Sequence, residues 1–333
     1  MVSTEKMMTS TAAPGRVSSQ RGDRIAPKLS LVVPVYNEEA VIEELRSRLL
    51  PVLEAIGPFE VFCVNDGSTD RSGEMLDALS ATDERFKALH FSRNFGHQAA
   101  VTAGLHAASG DCAVIIDADL QDPPELIGQL VEKWQQGFDV VYAKRRERAG
   151  DGRLKRATAF LFYRTLRKLT EVEIPPDAGD FCLLDRMVVD VLNSMPERNR
   201  FVRGLRAWVG FRQVAVEFDR AERFAGETKY PFRRMIGLAF DGVFSLSKAP
   251  LRLAIYFGFM SSGLSFLLGI FFLFEKLFGT FHTVRGWAST IVVVLFLGGV
   301  QLICIGAIGE FIGRTYDEVK HRPLYIIART SGI

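Results

Sequence analysis

Between Leu29 and about Ala143, short apolar runs alternate with stretches of helical period. LSLVVPV (29–35), FEVFCVN (59–65), KALHFS (87–92), CAVIID (112–117) and DVVYA (139–143) are too short and too continuously apolar for helices, and they predict strands. EEAVIEELRSRLL, DRSGEMLDALS, GHQAAVTAGLHAA and PPELIGQLVEKWQQ lie between them with apolar residues at three-to-four spacing, and they predict helices. Strand–helix alternation of this kind implies a mostly parallel sheet covered on both faces. Ligands of such sheets bind beyond the carboxyl ends of the strands. The polar residues that follow each apolar run are therefore the candidates for chemistry.

From Lys144 to Val216 the pattern is less regular, with basic clusters at 144–146 and 155–156 and an expected turn at Gly179–Asp180. Phe232, Met235, Ile236, Phe240, Val243 and Phe244 then recur at helical spacing beside Arg233, Arg234 and Lys248. This predicts an amphipathic helix lying in a membrane interface or packed on the globular part. Two uncharged runs follow, 253–274 and 287–309, each reaching the roughly 20 residues needed to cross a bilayer. The linker between them is short, so the pair predicts a transmembrane hairpin rather than two buried core helices. Arg252 precedes it, and Arg314, Lys320, His321 and Arg322 follow it, which places both ends and the globular domain in the cytoplasm of an inner-membrane, multi-pass protein.

Composition changes this picture only slightly. A net charge of +2 over 333 residues gives no electrostatic footprint for nucleic acid. Cys63, Cys112, Cys182 and Cys304 are scattered without metal-ligand spacing, which reads as free thiols in a reducing compartment. Residues 1–27 are polar and small without an apolar core, so they read as a disordered tail and not as a secretory signal. The expected division is then 28–230 globular, 231–250 amphipathic, 251–313 hairpin and 314–333 a cytoplasmic C-terminal tail.

The strongest local signal for chemistry is DADLQDPPE (117–125). A strand is expected to end at Asp117. In extended chain Asp117, Asp119 and Gln121 face one way and would present oxygens to one point. Two carboxylates with open positions suit Mg2+ or Mn2+ shared with a substrate diphosphate.

That segment is one of eight in order: VPVYNEE (33–39), VNDGSTD (64–70), SRNFGHQAAVTAGL (92–105), DADLQDPPE, GDFCLLDR (179–186), PERNRF (196–201), WVGF (208–211) and RFAGETKY (223–230). Together with the hairpin they resemble the polyprenyl-phosphate branch of glycosyltransferase family 2, from about Ser30 to Tyr325. The resemblance implies a GT-A-type nucleotide-sugar domain followed by the interfacial helix and the transmembrane hairpin. It implies that Pro34, Tyr36, Glu38, Asp66 and Arg93 serve the nucleotide sugar, although Asp66 by itself reads better as a helix cap. Arg223 and Lys229 fall on a lid over the donor diphosphate, where the residues alone read as surface charges. Arg145 and Arg156 fall on positions that hold an acceptor phosphate, and their basic neighbours suit lipid headgroups equally. Asp180 falls in the acceptor region as a catalytic or positioning group. The implied partners are a nucleotide sugar (UDP-glucose, with GDP-mannose the alternative), polyprenyl phosphate, membrane lipid and a second copy of the chain. Two departures stand out: Asn65 and Cys182 occupy positions where the family often has Asp and Arg. A family 2 enzyme acting on polysaccharide is disfavoured because RGLRAW (203–208) does not fit a Q-x-x-R-W element.

Overall fold

The computed structural model describes residues 27–146, 178–198, 200–218, 249–278 and 286–333. The five expected strands all form: β1 (Leu29–Val35), β2 (Phe59–Asn65), β3 (Phe86–Phe91), β4 (Cys112–Ile115) and β5 (Val140–Arg145). Helices α1 (Ile42–Ile56), α2 (Ser72–Thr82), α3 (His97–Ala107) and α4 (Ile127–Gln135) lie between them, the last entered through a 3-10 turn at Pro124–Leu126. Then come β6 (Ala178–Asp185), α5 (Arg186–Ser194), α6 (Val202–Trp208), β7 (Gln213–Phe218), α7 (Ala249–Phe278), α8 (Trp287–Val319) and β8 (Ile327–Ser331).

One eight-stranded sheet runs in the order β7-β5-β6-β4-β1-β2-β3-β8. β1 pairs in parallel with both β2 and β4, so the chain reverses its direction of progress across the sheet between β1 and β4. The crevice outside the carboxyl ends of these two strands is where an open α/β sheet takes its ligand. Only β6 and β8 run antiparallel to their neighbours. Every residue of β1, β2 and β4 is buried, as strands covered on both faces must be. Helices α1, α2 and α4 cover one face, while α3, α5 and α6 cover the other. Helix α3 lies so close to β1 that a Cβ at Gly104 would stand 2.2 Å from Val32 Cγ1, so only glycine permits this approach.

At the amino ends of the strands, Glu60 is buried and fully engaged. Ser30 Oγ and Ser109 N donate to its Oε1 at 2.7 and 2.8 Å, and Lys87 Nζ donates to Oε2 at 2.9 Å. Burial alone would raise its pKa, but these donors outweigh burial and bring it down to about 2. A depressed folded-state pKa contributes stability that is full above the unfolded value near 4.5 and is lost as pH falls toward about 2. Glu60→Gln is therefore expected to lower stability by on the order of 2 kcal/mol at neutral pH. In thermal unfolding across pH, the gap between variant and wild type should close between those two values.

Three sequence expectations are corrected. Gly179–Asp180 is not a turn but part of β6, because residues 182–185 pair antiparallel with β4 and Ala178 pairs with Lys144 of β5. The register slips between Tyr142 and Lys144, opposite Asp180. The Asp117–Gln121 segment is not extended. The strand ends at Ile115, Ala118 and Asp119 form a turn, and Leu120 adopts φ 57° with its side chain buried. The apolar Leu120 side chain is drawn into the core, which breaks the alternation. Residues 314–333 are not a free tail, since α8 continues to Val319 and β8 joins the sheet edge beside β3. Tyr325 stacks on Phe91 with ring centroids 5.1 Å apart, and its hydroxyl lies 2.8 Å from His106 Nδ1.

Helices α7 and α8 pack against one another, with Cys304 Sγ 3.4 Å from the Ala254 carbonyl. Large apolar side chains face outward along both, among them Phe259, Phe266, Leu302 and Ile303. Among the described residues one stretch, Phe296–Val319, is long and apolar enough to cross a membrane by length and composition, with mean hydropathy 1.7 and none of it buried. It overlaps the expected 287–309 span and is displaced toward the C-terminus. The expected amphipathic stretch from Phe232 to Phe244 lies outside the described residues, as do residues 1–26. Cys63, Cys112 and Cys182 are buried thiols outside any disulfide, and Cys304 is a partly buried one.

Candidate functional site

The loops that follow β1 and β2 are sewn together at the carboxyl edge. Ser68 Oγ accepts from the Asn37 N–H at 3.0 Å, and Asn37 Oδ1 accepts from the Thr69 N–H at 2.8 Å. Ser72 Oγ accepts from the Glu38 N–H at 2.9 Å, and Glu39 Oε2 accepts from the Arg71 N–H at 3.0 Å. Asn37 reaches this position with φ 54°, a backbone region that asparagine tolerates better than most side chains. Pro34 is buried in β1, Tyr36 is 40% exposed just beyond it, and Glu38 is partly buried. These residues form one rim of a cradle at the strand ends.

Asp66 lies behind that rim and takes a different part from a simple pocket lining. Its two oxygens accept from the Phe95 and Gly96 N–H groups at 2.7 and 2.9 Å, fixing the loop between β3 and α3. It does not cap α2, whose first turn follows Arg71 without a side-chain cap. Burial raises the Asp66 pKa, and the two backbone donors offset this in part. The two loops touch at Gly67, where φ is 67° and a Cβ would stand 2.4 Å from the Arg93 carbonyl carbon. Arg93 is exposed, donating to the Asn94 carbonyl with its guanidinium 4.1 Å from the centre of the Phe95 ring.

Across the crevice, Asp117 and Asp119 follow β4, and Asp180 enters at the start of antiparallel β6 on the same edge. His97, the first residue of α3, stands between strands: its Nε2 is 3.7 Å from Asp117 Oδ1 and 3.6 Å from Asp180 Oδ2. That nitrogen is buried and makes no hydrogen bond among the described residues, so these are ion-pair contacts only. Burial pulls the His97 pKa down, but the Asp180, Asp117 and Asp66 carboxylates outweigh it and push it up to about 9, so the ring is cationic at neutral pH. Arg203 of α6 approaches Asp180 Oδ1 at 3.3 Å from the other side. Burial works to raise the Asp180 pKa, yet His97, Arg203 and Arg206 hold it well below the usual carboxylate range. Asp117 goes the other way: burial first, then Asp180 and Asp119, raise it against the pull of His97 and Arg203. Asp119 Oδ1 accepts from the Gln121 N–H at 3.1 Å, so Gln121 contributes its backbone to the turn.

Residues 30–192 match the family model described as Glycosyl transferase family 2. An uncharacterized glycosyltransferase of Bacillus subtilis, YkcC, is 52% identical over 305 residues, 91% of this chain and 94% of that protein. The bactoprenol glucosyl transferase of Shigella phage SfV is 47% identical over 303 residues, 90% of this chain and 98% of that protein. The chain belongs to glycosyltransferase family 2. A crystal structure of glucosyl-3-phosphoglycerate synthase from Mycobacterium tuberculosis with Mn2+, UDP-glucose and phosphoglyceric acid is similar over 67% of this chain and 80% of that one, with 21% identity and a TM-score of 0.45.

The transferase thus gathers Pro34, Tyr36, Glu38, Asp66 and Arg93 on one side of the crevice and Asp117, Asp119, Gln121 and Asp180 on the other. Arg145 ends β5 on the same edge of the sheet. Arg156, Arg223 and Lys229 lie outside the described residues. Sequence reasoning missed His97, Arg203 and Arg206. The available signal was RGLR, whose arginines are three apart and so share one face of a helix. Arg206 is 2% exposed, donates to the Gly179 carbonyl at 3.3 Å and stands beside the Cys182 thiol, so a guanidinium from a neighbouring helix lies next to that position.

Proposed function

We propose that this enzyme transfers glucose from UDP-glucose to a polyprenyl phosphate at the cytoplasmic face of the membrane, inverting the anomeric centre. The observation that carries this reading is the meeting of His97 and Arg203 on Asp180, opposite Asp117, in a family 2 chain matched almost end to end by a bactoprenol glucosyl transferase. A lipid phosphate is a ready nucleophile, because a phosphomonoester with a second pKa of about 6 is largely dianionic at neutral pH. Its oxygen forms a bond to the anomeric carbon as the bond from that carbon to the diphosphate breaks, and UDP leaves with the electron pair. No proton moves, so no strong general base is needed. The task left to the protein is orientation and charge. The β1 and β2 loops hold the nucleoside. Asp180, fixed by His97 and Arg203, defines the acceptor side, with Arg145 and Arg156 receiving the acceptor phosphate. By the family resemblance Arg223 and Lys229 supply positive charge to the diphosphate.

The donor set at Asp117 and Asp119 fits a divalent ion. Among the described residues no group of three or more His, Cys, Asp or Glu would cage a metal alone. A hard cation shared with a diphosphate needs only one or two carboxylates, and Asp117 already sits among like charges. Bound there, Mg2+ or Mn2+ supplies positive charge to the leaving diphosphate.

Helices α7 and α8, of 30 and 33 residues, are about 45 and 50 Å long at 1.5 Å per residue, which exceeds a hydrocarbon core of about 30 Å. With their outward apolar side chains we read them as a transmembrane hairpin that holds the crevice at the lipid surface. Membranes containing the full-length protein, incubated with labelled UDP-glucose or GDP-mannose, test the reading. Label from UDP-glucose is expected in the lipid phase, abolished by EDTA and restored by Mg2+ or Mn2+. Label from GDP-mannose alone would make it a mannosyltransferase, and turnover in excess EDTA would remove the metal.

A further inference from the structure

The C-terminal strand sits at the far edge of the sheet, remote from the carboxylates, yet a row of side chains runs from it to the cradle. Asn65, His90 and Arg329 are cross-strand partners on β2, β3 and β8, so they lie side by side on one face. Helix α2 covers that face. A Cβ at its Gly73 would stand 3.0 Å from Asn65 Nδ2 and 3.8 Å from both His90 Nδ1 and Arg329 Nη2.

The donors and acceptors of the row have one consistent assignment. The Ser68 N–H must meet an oxygen, and it meets Asn65 Oδ1 at 2.9 Å, which turns Asn65 Nδ2 toward His90 Nδ1 at 3.0 Å. His90 Nδ1 is then the acceptor, and its buried Nε2 carries the proton and lies 3.2 Å from Asp77 Oδ1, an ion-pair contact too bent for a hydrogen bond. Burial, and then Arg329, lower the His90 pKa, so the ring is held neutral as this pattern requires. Asp77 in turn accepts from Ser331 Oγ at Oδ1 and from Arg329 Nη1 at Oδ2. Aspartate at position 65, the residue the family often has, would set an acceptor against His90 Nδ1 unless the ring moved its proton there from Nε2 or took a second proton. The asparagine and the histidine are matched to each other.

We propose that His90 and Asp77 are positioning residues through which strand β8 fixes the 64–70 loop that receives the donor nucleotide. None of the row needs to touch the nucleotide: Asn65 holds Ser68, and Ser68 locks to Asn37 on the opposite loop. This rests on the reading of the cradle as the nucleoside site, and it adds that Arg329 and Ser331 of β8 support that site. Since β8 follows α8, the segment that closes the cradle is attached to the helix read as membrane-spanning.

The test uses full-length protein in detergent, with UDP binding by calorimetry and transfer kinetics in parallel. Asp77→Asn and Ser331→Ala are expected to weaken UDP binding and raise the KM for UDP-glucose by about fivefold to tenfold each, the effect of one lost hydrogen bond, with kcat within about twofold. Ser331 lies on an edge strand, so its variant tests the idea without endangering the fold. Asn65→Asp should show the same KM defect, and adding His90→Gln, whose amide can donate to the new carboxylate, should recover most of it. Unchanged UDP affinity in Asp77→Asn and Ser331→Ala would overturn the relay while leaving the site reading intact. Wild-type protein that binds no UDP would overturn the site reading and the relay with it. An equal fall in kcat without a change in KM would assign β8 to stability alone.

Discussion

Asp119→Ala is expected to lower kcat by about a hundredfold to a thousandfold, the loss seen when one element of charge stabilisation is removed from a transition state. Asp119 lies in the turn after β4, partly exposed, and contributes a carboxylate to the crevice and not a side chain to the core. Its Oδ1 accepts from the Gln121 N–H, a bond within an already tight turn whose Leu120 anchor is buried beside it. The fold should therefore survive the change, with the midpoint of thermal unfolding within a few degrees of wild type. Transfer measured with saturating Mn2+ and UDP-glucose, alongside far-ultraviolet circular dichroism, separates the two effects. A variant that turns over normally would show that the Asp-x-Asp segment shapes the loop and takes no part in charge stabilisation.

Asp180→Asn is expected to reduce kcat by about a hundredfold, the scale set by misplacing a reacting group by about 1 Å, with the KM for UDP-glucose changed less than about threefold. The reason is electrostatic. Asp180 is the counter-charge shared by His97 and Arg203, and the amide would remove the charge that raises the His97 pKa and leave Arg203 without its ionic partner at a partly exposed site. The side chains proposed for the acceptor side would then separate, whereas the hydrogen bonds that join the β1 and β2 loops, proposed for the nucleoside, do not involve Asp180. Steady-state kinetics with each substrate varied in turn checks the division. If the KM for UDP-glucose rises and kcat holds, Asp180 belongs to the donor side and the assignment is wrong.

The transmembrane reading also bears on how the domain can be cut. From the sequence, removing everything after about Ser247 is expected to leave a soluble domain that binds nucleotide but transfers poorly to a long lipid phosphate, because the five strands of 29–143 pair among themselves. The structure shows otherwise. Truncation there strips β8 from β3, uncovers the stacked Phe91 and leaves His90 and Asp77 without Arg329 and Ser331. A soluble fragment would lose a sheet edge as well as its anchor.

By itself the sequence determined the parts whose signal is local. Strands β1 to β5 and helices α1 to α4 were legible because continuous apolar runs and three-to-four spacing reflect burial on two faces and on one. The carboxylates after β4 stood out through the family motifs around them, since an Asp-x-Asp pair alone also occurs by chance or as a helix cap, and the same motifs pointed to Asp180 and the cradle loops. Only the tertiary structure decided which residues meet. His97 looks like one more polar residue in the first turn of a helix until α3 is laid against β1 and brings it between strands β4 and β6. Arg203 and Arg206 belong to a helix of seven residues, too short to show a period. Strand β8 is exposed along most of its length, so it has no apolar run to announce it. It is a strand because the β3 edge offers unpaired backbone groups, and its partner lies more than two hundred residues earlier in the chain. Pairings of that range are set by the packed sheet, and no window along the sequence contains both halves.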